Sequence, residues 1–142
     1  MSERAAYQNF KKNVGRVGDR IDRIENCLVP GMPDINCCLN GTEVWIELKT
    51  PVEPKKRTTP LFGSNHKVSQ DQANWMLRQK IAGGRAYFLI STDKRLALLA
   101  SHFSMLINDM TIDEMIDNSS WSATKPLRDK DTWQVLREVL LR

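Results

Sequence analysis

Long apolar runs are missing from this chain. A membrane-spanning helix takes roughly 20 such residues, and no stretch approaches that length. The N-terminus, Met-Ser-Glu-Arg-Ala-Ala-Tyr-Gln, lacks the apolar centre of a secretory signal. Cysteine is scarce: there are three, an odd number, and Cys37 and Cys38 are adjacent. That count speaks against a disulfide framework and for reduced thiols in a cytoplasmic, reducing setting. His66 and His102 stand at no zinc-binding spacing. No Gly-x-x-x-x-Gly-Lys phosphate loop occurs, so no nucleotide motor is expected. Repeats and low-complexity tracts are also absent.

What remains is an ordinary globular mixture. The 142 residues are 41% hydrophobic and 27% charged, enough for a single domain with its own core. The net charge of +4 permits a polyanionic partner without requiring one. Ala6, Phe10, Val14 and Val17 recur at helical spacing and predict a first helix from Ser2 to about Val17. A short extended run is expected at Arg23-Ile24-Glu25. Residues 34–39 and 42–49 read as strands around Asn40-Gly41, a strong hairpin signal. Residues 51–68 read as a loop. A helix follows from Ser69 to Ala82, with Ala73, Met76, Leu77 and Ile81 as its apolar arc. Strands are expected at 85–91 and 95–100. Beyond about Phe103 the chain reads as helical, with a capping box at Thr111 to Glu114 and an amphipathic helix from Thr132 to Leu141. This order indicates an α/β fold: a mixed sheet with helices on its faces and extra C-terminal helices.

The hairpin carries the most information. With Asn40-Gly41 as a two-residue turn, Leu39 faces Thr42, and counting outward brings Asp34 opposite Glu47. Strand side chains alternate between faces. One face is then Ile35, Cys37, Leu39, Val44, Ile46 and Leu48, wholly apolar. The other holds Asp34, Glu47 and Lys49, with Trp45 and Cys38. Facing acids have Cβ atoms about 5 Å apart and repel. A shared proton, the Lys49 ammonium or a divalent cation would offset that. Carboxylates and waters are what Mg²⁺ prefers, and a metal there would activate water beside a phosphate. Lys49 would orient the attacking water or stabilise charge on phosphorus. The plainer reading is an exposed Glu-x-Lys pair on a half-solvated strand, with Asp34 ending a turn.

These residues resemble a known signature. Gly31-Met32-Pro33-Asp34, the apolar strand after it, and Trp45-Ile46-Glu47-Leu48-Lys49 are similar to the core of the PD-(D/E)xK nuclease superfamily. Ser69-Gln-Asp-Gln-Ala-Asn-Trp75 and Gly83-Gly84-Arg85 resemble the branch with VRR-NUC domains and archaeal-type Holliday junction resolvases. The resemblance runs from about Arg23 to Ile90. It implies a restriction-endonuclease-like α-β-β-β-α-β core and an Mg²⁺- or Mn²⁺-dependent endonuclease acting on DNA. Residues 1–142 would form one nuclease domain: a core to about residue 100 and a helical extension from about 101. Asp34 and Glu47 would bind the metal, and Lys49 would be the catalytic lysine. A further upstream acid would be Glu25, with Glu3 on the first helix as its competitor.

In this family a helix Gln contacts the catalytic strand, which points to Gln72. The same residue is N3 of a Ser69-x-x-Gln72 capping box, and the two roles are compatible. The loop that leaves the strand at Lys49 carries Lys55, Lys56, Arg57 and Lys67, suited to DNA phosphates. No base-reading motif is present, so cutting that depends on DNA structure (branched DNA, a junction or a flap) is expected. Relatives that cut branched DNA symmetrically are homodimers; by that analogy a homodimer is expected, with Trp133, Leu136 and Leu140 as dimer elements. Cys37 reads as structural, and Trp75, Trp121 and Trp133 as packing anchors. The alternative function is a DNA-binding module with a nuclease-like fold and no turnover.

Overall fold

The computed structural model describes residues 2–25, 28–63 and 66–142. Cys27, and positions 64 and 65 of the expected loop, lie outside the described residues. Among the described residues, six strands form one mixed sheet in chain order: β1 (Arg20–Arg23), β2 (Ile35–Leu39), β3 (Thr42–Lys49), β4 (Ala86–Ser91), β5 (Arg95–Ala100) and β6 (Trp121–Thr124). Neighbouring strands are antiparallel except β3 and β4. A parallel pair needs a crossover, which residues 50–69 and α2 (Gln70–Ile81) supply. With α1 (Glu3–Val14) ahead of β1, the chain runs α-β-β-β-α-β through β4, the expected order. Beyond β5 come two short 3-10 turns, α3 (Ile112–Asn118), β6 and α4 (Lys130–Leu141).

The hairpin has the register counted from its turn. Leu39 pairs with Thr42, Cys37 with Val44 and Ile35 with Ile46. Asn40 and Gly41 both have positive φ, 48° and 80°, as a type I′ turn requires. Strand alternation then divides the sheet into two faces. On the first, Ile35, Cys37, Leu39, Val44, Ile46 and Leu48 join Leu89, Leu96 and Leu98 beneath α1 and α4. Helix α1 contributes Ala6, Phe10 and Val14; α4 contributes Trp133, Leu136 and Leu140. On the second face, Ala86, Phe88, Ile90 and Leu99 are covered by Ala73 and Met76 of α2, Leu61, Phe62 and Val68 of the loop, and Ile112 and Met115 of α3.

Several expectations are corrected. Helix α1 stops at Val14, where Gly15 caps it, and Val17 is fully exposed. The first strand is Arg20–Arg23 rather than 23–25, so Glu25 lies beyond its end. Ile81 is exposed at the last turn of α2. The segment after Phe103 is not uniformly helical, because β6 pairs with β5 at the sheet edge. Trp133, Leu136 and Leu140 are buried in the core and offer no surface to a second copy. Arg137 of α4 is buried too. It pairs with the Asp19 carboxylate and donates to the Val14 carbonyl at 3.0 Å, tying α4 to the α1–β1 connection.

Candidate active site

Asp34 immediately precedes β2, and Glu47 and Lys49 close β3. Continuing the hairpin register by one pair sets Asp34 opposite Glu47, and the Leu48 amide donates to Asp34 Oδ2 at 3.0 Å. Helix α2 closes over these groups from its first turn. Ser69 is its N-cap, and Gln72 completes the capping box by accepting the Ser69 amide at 3.0 Å. The same Gln72 side chain donates through Nε2 to Glu47 Oε2 at 2.8 Å. Its Oε1 also accepts from Lys49 Nζ at 3.3 Å. Lys49 Nζ lies 3.6 Å from Glu47 Oε2 and 3.5 Å from the Lys67 carbonyl. Both roles foreseen for Gln72 are therefore combined in one side chain. The exposed-pair reading of Glu-x-Lys fails, since Glu47 and Lys49 are only 2% and 8% exposed.

Gly31 explains how α2 comes so close. Its φ is +80°, and a Cβ there would lie 2.2 Å from the Asp71 carbonyl oxygen and 2.6 Å from the Gln72 nitrogen. Only glycine admits that approach. The turn leading to Asp34 thus packs directly on the helix start that delivers Gln72.

Burial pushes the Glu47 carboxyl up to about 8; the charge of Asp34 adds to this and Lys49 opposes it. Near neutral pH the pair relieves its repulsion by holding a proton, and a cation could replace that proton. Glu47 Oε1 is buried without a protein hydrogen-bond partner, while Oε2 is engaged by Gln72 and Lys49. Asp34 Oδ2 accepts the Leu48 amide, and the Asp34 and Glu47 carboxyls are close enough to share a hydrogen bond, so a cation would take the place of the proton between them. Two hard, anionic oxygens fit Mg²⁺ or Mn²⁺, and Mg²⁺ is commonly held by one or two carboxylates plus waters.

No third acid joins them: among the described residues no group of three or more His, Cys, Asp or Glu is placed to hold a metal. Glu25 is exposed beyond β1, and Glu3 pairs with Arg23 at 3.7 Å. Of the basic loop residues, Lys55, Lys56 and Lys67 are exposed. Arg57 is exposed as well; it pairs with Asp113 and lies 3.9 Å from Glu53. Sequence reasoning passed over Glu53, which is buried and anchors the loop by accepting from Thr92 Oγ1 at 2.6 Å and Arg95 Nε at 2.9 Å. Trp45, on the site-bearing face, packs on Trp75 with ring centroids 5.1 Å apart. Burial pushes the Cys37 thiol up to about 12, which suits an inert core residue.

No protein-family model matches the chain. No curated protein matches it either. Among solved structures, it is similar to Hjc, a Holliday junction resolvase from the archaeal hyperthermophile Archaeoglobus fulgidus, with 19% identity and a TM-score of 0.46. The likeness covers 71% of this chain and 77% of that one. No helix among the described residues is long and apolar enough to cross a membrane.

Proposed function

We propose that this chain is an endonuclease that hydrolyses DNA phosphodiester bonds with a divalent cation, Mg²⁺ or Mn²⁺. One observation carries the reading: Asp34, Glu47, Lys49 and Gln72 converge, with a buried Glu47 oxygen left for a ligand. Asp34 and Glu47 would hold the cation, which supplies Lewis-acid polarisation and a reactive water at neutral pH. Lys49 places an ammonium beside the acids, where negative charge grows on the phosphate. Gln72 keeps Glu47 and Lys49 in fixed relation by bonding both, so neither side chain must reorganise as the substrate arrives.

Lys55, Lys56 and Lys67 would carry the DNA backbone past this centre, binding phosphates rather than bases. Arg57, exposed on the same loop and paired with Asp113, would join them. Branched DNA is the proposed substrate on the strength of the sequence resemblance, as is a homodimer. The dimer surface would have to lie outside the buried face of α4.

The test is cleavage of four-way junction, flap and linear duplex by the full chain, each with Mg²⁺, Mn²⁺ or EDTA, and with Lys49→Ala in parallel. Cutting that needs the metal and is lost in Lys49→Ala is expected. DNA binding with no cutting under any metal would replace the enzyme with a binding module.

A further inference from the structure

Two buried side-chain atoms among the described residues lack a hydrogen-bond partner: Glu47 Oε1 and Asn36 Nδ2. One is an acceptor and the other a donor. Nine in ten or more buried polar groups are partnered, so each of these calls for a physical explanation. The register relates them. Asn36 faces Trp45 across β2 and β3, and Glu47 is the next β3 residue on the same face. They are diagonal neighbours, a relation with Cα atoms about 7–8 Å apart. The amide has a defined orientation, because Asn36 Oδ1 accepts from Arg20 Nη2 at 2.5 Å; flipping it would turn its donors onto a guanidinium. β1, which carries Arg20, and β3, which carries Glu47, flank β2 on opposite sides. The Nδ2 donor is thus the end of the amide not committed to β1.

We propose that Asn36 is a positioning residue for the acid pair: its Nδ2–H donates, through one water, to Glu47 Oε1 and orients that carboxylate toward a divalent cation. The inference rests on the metal reading above. A buried site with a donor, an acceptor and the Asp34 carboxylate on one face gives a water the two to four polar partners it needs. Carboxylates that ligate metals are themselves hydrogen-bonded, and loss of such a partner typically costs about 10–100-fold in metal affinity. An amide suits this place because it donates without adding charge to two acids that already repel. The competing role for Asn36 is purely structural, as an anchor for the Arg20 side chain on the sheet.

Calorimetric titration of the metal-free 142-residue chain with Mn²⁺ separates the two. Asn36→Leu is expected to weaken binding by about 10–100-fold. Asn36→Ser, which restores a donor, is expected to recover part of that loss. Arg20→Ala, which frees the other end of the amide but keeps its donor, should weaken Mn²⁺ binding less than Asn36→Leu does. Should the Leu variant fold poorly, Asn36→Ala against Asn36→Ser carries the same contrast. Equal Mn²⁺ affinity in wild type and the Leu or Ala variant overturns the inference alone. So does a loss in Arg20→Ala as large as that in Asn36→Leu. Absence of Mn²⁺ binding by wild type overturns it together with the metal reading.

Discussion

On one face of β2 and β3, Ile35, Cys37, Val44, Ile46 and Leu48 are buried beneath α1 and α4. On the other, Glu47 and Lys49 meet Gln72 in the first turn of α2, and Asp34, just before β2, accepts from the Leu48 amide. Period-two alternation separates the two jobs completely, so stability and chemistry draw on different side chains of the same strands. The first face gains free energy by removing apolar surface from water. The second spends some of that gain on a buried Glu47 beside a half-buried Asp34, a repulsion that Lys49 eases and a proton or bound cation would relieve further. A fold can keep a strained site when the opposite face of the same strands holds it in place.

Changes on the two faces should have opposite signatures. Lys49→Ala gives the largest effect, a loss of cleavage on the order of 10²–10³-fold or more, with little change in melting temperature. Ile46→Ala, its neighbour on the other face, should do the reverse. It is expected to cost about 2–5 kcal/mol of stability, seen in chemical denaturation, while the folded fraction cuts at the wild-type rate. Arg137→Ala should cost less, about 1.5–3 kcal/mol, because the Arg16 and Asn40 amides still donate to the Asp19 carboxylate after its ion pair is lost.

Acidity sharpens the contrast further. Asp19 is held down to about 2 by its bond with Arg137. Its contribution is present above an ordinary carboxylate value of 3.8 and lost as pH falls toward 2. Glu47 runs the other way. Its folded-state value of about 8 lies above the ordinary 4.5, so folding favours the protonated acid. Metal-free stability should therefore decline as pH rises from about 4.5 to about 8. Melting curves across that range should show the decline in wild type, and Glu47→Gln should flatten it. The smallest effect is expected at the loop. Lys56→Ala should weaken DNA binding a few-fold regardless of sequence and reduce the salt slope by about 1.

The hairpin was legible residue by residue because everything that sets it is local: a turn that requires positive φ and an alternating pattern on each side. Gln72 was legible for a related reason, since capping boxes and helix starts follow short-range rules. Features that depend on distant partners were not. Arg137 and Asp19 are 118 positions apart, and Arg57 and Asp113 are 56 apart. Strand β6 has four residues with no fully buried position, too short and too exposed for its period to register. Helical spacing placed Val17 and Ile81 on apolar faces but could not show that the neighbouring surface ends before reaching them. Asn36 drew no notice because a polar residue in an apolar strand has meaning only once its neighbours are known.

The claim on which the rest depends is that Asp34 and Glu47 together hold a divalent cation. Mn²⁺ titration at pH 7, in buffers of different ionisation enthalpy, tests it most directly. The account predicts saturable binding by wild type that releases close to one proton, because Glu47 must give up its own. It also predicts loss of that binding in Asp34→Asn. No saturable binding by wild type, or equal binding by Asp34→Asn, would contradict it.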